Sequence, residues 1–216
     1  MSLIDGVFLS GQRDTVVWEL EKSGEYSTKS MYRWLTFGGV SDPQLKKIWK
    51  LKMPTKIKIF VWQVIYDRSP TREQILIRHG PTLGKCPLCD DLETLDHLLF
   101  ICPVAVFVWS VIREAVEWPD IPCSILDLIS VGRASQKGRF ERIWIGAAAV
   151  LWSLWTIRND LIFEGITLKH PADAVFRVIS LLQLWRPLWD EDLREYFGEV
   201  IQRCKRKLRH LRRLRP

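Results

Sequence analysis

The segment from Cys86 to Cys102 reads CPLCDDLETLDHLLFIC, and it limits what this chain can fold into more than any other stretch. Cys86 and Cys89 form a Cys-x2-Cys pair, seven residues separate Cys89 from His97, and four separate His97 from Cys102. A tight turn over the first pair aims two sulfurs at one point. His97 and Cys102 are slightly more than one helical turn apart, so a helix or a frayed helix end returns both to that point. Three thiolates and an imidazole are a standard tetrahedral set for Zn2+. A lone cysteine is more often a small core hydrophobe, but four ligands at this spacing point to a metal. A disulfide framework suits this chain poorly, because its five cysteines are odd in number and nothing marks it as secreted. A Cys–His nucleophilic pair needs an activating environment, and no local signature of one surrounds these thiols.

Apolar residues make up 47% of the 216 residues, with 11 Trp among them, which excludes a disordered chain. No basic stretch followed by an apolar run opens the sequence, so an intracellular protein of the nucleus or cytoplasm is expected, not a secreted one. An uncharged apolar run without proline, Ile143 to Ile157, has 15 residues. A membrane-spanning helix needs about 20, so the run is expected in a core and no membrane partner is implied. The net charge of +7 is unevenly spread. Residues 44–85 carry +8 and residues 203–216 another +8, while residues 86–202 carry −7. Such asymmetry speaks to partners and not to fold.

The periodicities predict a mainly α protein with a small N-terminal β-hairpin, a helical body holding the Cys3His loop, and a helical C-terminal extension. Val16–Leu20 and Glu25–Ser27 flank Lys22-Ser23-Gly24, which reads as the hairpin, with Trp18, Leu20 and Tyr26 on its buried face. Ser27 or Thr28 caps a helix through Leu35. Asp42-Pro43 opens another, with Ile48 and Trp49 facing inward, and Pro54 breaks it. Ile57, Phe60, Val61, Val64 and Ile65 then recur at helical spacing. Thr71 and Gln74 form a capping pair, and Pro103 starts a helix carrying Val106, Trp109 and Ile112. Residues 119–138, with Pro, Ser and Gly, read as a linker. Phe140 to Phe163 reads as a long apolar helix with Trp144, Trp152 and Trp155 on one face, and Pro171 opens the next. The resulting division is a segment 1–13, a zinc-binding domain 14–118, the linker 119–138, a helical extension 139–202 and a basic arm 203–216. The arm reads either as an amphipathic helix on Leu208, Leu211 and Leu214 or as a disordered tail that orders on a polyanion.

The run IWKLKMPTKIKIFVWQVIYDRSPTREQILIRHG, followed by CPLC, ETLDHLLFIC and Trp109, resembles the reverse transcriptase zinc-binding domain of plant LINE-type retrotransposons. VVWELEKSGEYSTKSMYRWL upstream and VLWSLWTIRNDLIFEG downstream are similar to the flanks of that domain, so the likeness covers about residues 14 to 165. The resemblance implies Cys86, Cys89, His97 and Cys102 as zinc ligands and other modules of a retroelement polyprotein as possible neighbours. The parent polyproteins carry polymerase and often ribonuclease H modules. No aromatic-x-Asp-Asp motif stands here, and Asp90-Asp91 lies between metal ligands. A non-catalytic module is therefore expected.

Asp90, Asp91, Glu93 and Asp96 make the metal loop acidic, so its zinc reads as structural and the loop as a poor grip for phosphate. Phosphate contacts belong to the basic blocks: Lys46, Lys47, Lys50, Lys52, Lys56 and Lys58, then Arg203, Lys205, Arg206, Lys207, Arg209, Arg212, Arg213 and Arg215. The expected partner is RNA or DNA, bound without sequence preference. The competing reading is a structural or protein-interaction remnant whose zinc only holds the fold.

Overall fold

A computed structural model of the chain describes residues 16–37, 43–118 and 120–213. The expected boundary after residue 13 lies outside them. The chain forms two units, Met1–Lys46 and Lys47–Pro216.

In the first unit the expected β-hairpin is absent; residues 16–27 form turns, and no strand occurs among the described residues. Trp18 N–H donates to the Gly24 carbonyl at 2.7 Å and Gly24 N–H to Glu21 at 3.0 Å, which closes a loop instead of starting a ladder. An isolated two-stranded ribbon is marginal in water, and the Trp18 indole takes a partner elsewhere, donating to Ser30 Oγ at 2.7 Å. Leu20 and Tyr26, expected on a buried face, are exposed. Helix α1 (Thr28–Phe37) follows, with Ser27 Oγ accepting from Ser30 N–H at 3.1 Å. The division between the units falls within α2 (Pro43–Ile48). Ile48 is buried as expected, but Trp49 is not.

The second unit is built around α7 (Lys137–Asn159). Its central run from Ile143 to Leu151 is buried on every side, as an all-round apolar helix must be. α3 (Thr55–Ile65), α6 (Ile125–Arg133) and α8 (Pro171–Trp185) pack against it. α5 (Pro103–Val116) lies against α8 and against α9 (Glu191–Arg213). α4 (Arg72–Ile77) is capped by Thr71, whose side chain accepts from Gln74 N–H. Proline opens α5 and α8 at the first helical positions, where a missing N–H costs nothing. No helix among the described residues is long and apolar enough to cross a membrane.

One stretch differs from the sequence reading, and a second takes the helical one of its two readings. Residues 119–138 hold α6, whose Gly132 is buried against Trp144; a Cβ there would lie 2.6 Å from the indole nitrogen. The glycine marks close helix packing, not a loop. Residues 203–213 are the end of α9, with Cys204 and Leu208 fully buried one turn apart. Their basic neighbours find acids on or beside α5: Lys207 pairs with Glu114 at 2.6 Å and Arg203 with Glu117 at 2.6 Å. Those pairs relieve the like-charge repulsion that argued for a disordered tail.

Candidate metal centre

Two local devices bring the four ligands together. The first is a turn: Cys86 N–H donates to Asp91 O at 2.6 Å and Asp90 N–H to Cys86 O at 2.9 Å. Asp90 takes the left-handed conformation with φ +70°, which aspartate tolerates better than most residues. A single antiparallel bridge, Lys85 to Leu92, closes the base.

The second device is a π turn, His97–Ile101, in which Cys102 N–H donates to His97 O at 2.6 Å. In an α-helix, residues five apart are rotated by roughly 140° around the axis. The wider i→i+5 turn removes that mismatch and returns Cys102 beneath His97. Thr94 Oγ1 starts the turn by accepting His97 N–H at 2.9 Å. The buried Trp109 indole donates to Leu99 O at 2.7 Å and satisfies a carbonyl within it. Phe100 stacks on the same indole, 5.8 Å between centroids and 9° between planes.

The ligand atoms of Cys86, Cys89, His97 and Cys102 all lie within 4.8 Å of one another. Cys89 Sγ and His97 Nε2 are 3.1 Å apart. Cys86, His97 and Cys102 are buried and Cys89 is half-buried. Zn–S bonds of about 2.3 Å imply tetrahedral sulfur edges of about 3.8 Å, so the donor set and its size fit one zinc ion. The thiols polarise one another: Cys86 donates toward Cys102, which holds the Cys102 thiol below its ordinary value and pushes that of Cys86 up, while burial raises Cys89. Such a cluster is resolved by a cation that takes all three as thiolates. Cys123 and Cys204 stand apart from it. Burial pushes the Cys204 thiol up to about 12.

The acidic loop is less exposed than its composition suggests. Glu93 is completely buried and forms an ion pair with the equally buried Arg158 of α7, Oε1 to Nη2 at 2.7 Å. Arg158 Nε donates to both carboxylate oxygens, at 3.2 and 3.3 Å. Arg72 N–H, at the start of α4, donates to Glu93 Oε1 at 2.7 Å. Asp96 Oδ1 accepts Ile125 N–H at the start of α6. The loop carboxylates therefore tie the metal segment to α4, α6 and α7. The sequence reading did not single out this pair, although a lone arginine at the end of the apolar run of α7 is the signal for a buried anionic partner.

The basic candidates are scattered. Lys46, Lys50 and Lys56 are exposed. Lys47 lies 5.8 Å from the Phe140 ring, Lys52 pairs with Asp190, and Lys58 Nζ donates to Trp49 O at 2.9 Å. On α9, Arg206 and Arg209 are exposed and Lys205 is half-buried, whereas Arg203 and Lys207 are engaged by α5 and Glu117. Arg215 lies outside the described residues, as do the side chains of Arg212 and Arg213.

Residues 26–109 match the family described as zinc-binding in reverse transcriptase. Across 162 residues, 72% of this chain, the sequence is 25% identical to a protein of Arabidopsis thaliana provisionally named a ribonuclease H protein. The chain spans about a quarter of that relative, 26% of its length. No solved structure matches. The matched segment contains all four candidate ligand residues and both devices that gather them, so residues 26–109 are similar to the family described as zinc-binding in reverse transcriptase and carry a Cys3His cluster able to hold a metal.

Proposed function

We propose that this chain is a non-catalytic zinc-binding module of retroelement origin that assists nucleic-acid binding. The observation that carries the reading is the Cys3His cluster inside the matched segment, with its loop bound to α7 through Glu93 and Arg158. Four protein ligands leave zinc no open position for water or substrate, which is the pattern of a structural site. Cys86, Cys89, His97 and Cys102 would hold the ion, and its binding energy is folding energy. Thiolate ligation suits the reducing interior of the cell. This reading assigns no ribonuclease H activity to the chain; the Arabidopsis relative that carries that name is far longer.

The exposed cations Lys50, Lys56, Arg206 and Arg209 are the phosphate contacts in this reading. Deleting 203–216 is a poor test, because it also removes the buried Cys204 and Leu208. Replacing Lys50, Lys56, Arg206 and Arg209 with Gln leaves the core intact. Fluorescence anisotropy of a labelled oligoribonucleotide across a salt series should show weaker binding and a shallower slope, by about 0.7 per lost phosphate contact. Absence of binding by the unsubstituted chain at low salt would favour the structural or protein-interaction remnant instead.

A further inference from the structure

The solvent face of α3 has the wrong composition for a merely solvated helix. Ile57, Phe60, Val61 and Val64 are buried on one side. At about 100° per residue, Ile59 and Trp62 fall on the other, with Tyr66 directly after the helix continuing the stripe. That side is normally polar or charged. Here Ile59 is 44% exposed and Tyr66 42%, and Trp62 is half-buried. The Trp62 and Tyr66 rings stand 5.5 Å apart at 51°, and the Arg68 guanidinium lies 5.7 Å from the Trp62 centroid. Trp49, 45% exposed, precedes α3 and is tied to it by the Lys58 bond to its carbonyl.

Charge decides what such a face would hold. Residues 43–71 contain seven Lys or Arg and one carboxylate, Asp67. Lys52 is committed to Asp190 and Lys56 lies over the Trp152 ring, but Lys50, next to Trp49 in the chain, and Arg68, over Trp62, are exposed. A cationic surface alone needs no exposed aromatics, and a buried protein interface is depleted in Lys. Rings interleaved with cations match a polyanion that also presents flat apolar faces. Single-stranded nucleic acid does so, because its unpaired bases are free to stack; a duplex hides them.

We propose that this face binds a single strand of nucleic acid, with bases stacked on Trp49, Trp62 and Tyr66 and phosphates held by Lys50, Lys58 and Arg68. The proposal rests on the nucleic-acid reading above and gives it a site and a mode: affinity comes from stacking as well as from phosphate. Sequence preference is weak, because every base has a stacking face.

The test uses the full zinc-loaded chain and two labelled probes, a short oligothymidine strand and an abasic strand of equal length. The unsubstituted chain should prefer the base-bearing strand. Trp49→Ala and Tyr66→Ala should each weaken its binding by about fivefold or more, the lower end of the worth of one stacked base. Both should bind the abasic strand as the unsubstituted chain does. Tyr66→Phe keeps the ring and should bind normally. Zinc content and melting temperature check folding; if Trp49→Ala fails to fold, the Tyr66 pair decides alone. Equal affinity for the two strands, with no effect of either alanine, would overturn the stacking site while leaving phosphate binding intact. An unsubstituted chain that binds neither strand at low salt would overturn the nucleic-acid reading and this site with it.

Discussion

Glu93 sits between Cys89 and His97 with no exposure to solvent, and Arg158 is the cation that makes its charge tolerable there. A buried ion pair adds little net stability, but removing one partner strands the other. Glu93→Gln keeps the shape and leaves Arg158 uncompensated. It should lower the unfolding free energy by about 3–5 kcal/mol in urea denaturation while zinc content stays unchanged. Asp91→Asn, at an exposed position, should stay within about 0.5 kcal/mol. Equal urea midpoints for the two variants would show that the pair does not anchor the loop. In sequence Glu93 and Asp91 are alike, two acids among four. Arg158 and the Arg72 N–H, both distant along the chain, distinguish them, so the Cys3His cluster was legible and its support was not.

Helix starts were readable because capping chemistry is local. Thr71, Pro103 and Pro171 each act within a few residues of where they stand. The hairpin failed for the opposite reason. Strand pairing is decided by what covers the ribbon, and the Trp18 indole is claimed by Ser30. α6 was hidden because Gly132 looks like a loop residue until Trp144 is placed over it. From its own residues the end of α9 reads equally as helix or tail, because its acidic partners Glu114 and Glu117 lie far back in the chain. Its packing has a direct test. Leu208→Ala removes a buried side chain and should cost about 2–5 kcal/mol, whereas Arg209→Gln on the exposed side should stay within about 0.5 kcal/mol. Thermal melts of equal midpoint would return this segment to a loosely held arm.

Across the second unit, helices that share few sequence-local contacts converge on one short metal segment. The π turn contacts α5 and α7, Glu93 reaches α4 and α7, and Asp96 reaches α6. Removing the ion should therefore loosen more than the loop, since three buried or half-buried thiols and an imidazole would be left to find other partners. The basic blocks lie outside the metal segment, on α2, on α3, between these two helices and on α9, so the candidate metal ligands and the cations can be substituted separately. The most direct test is elemental analysis of the reduced, chelator-free protein beside two cysteine variants. One zinc per chain is expected, lost in Cys89→Ser and retained in Cys123→Ser. Less than half a zinc in the unsubstituted protein, or loss of the metal in Cys123→Ser, would contradict it.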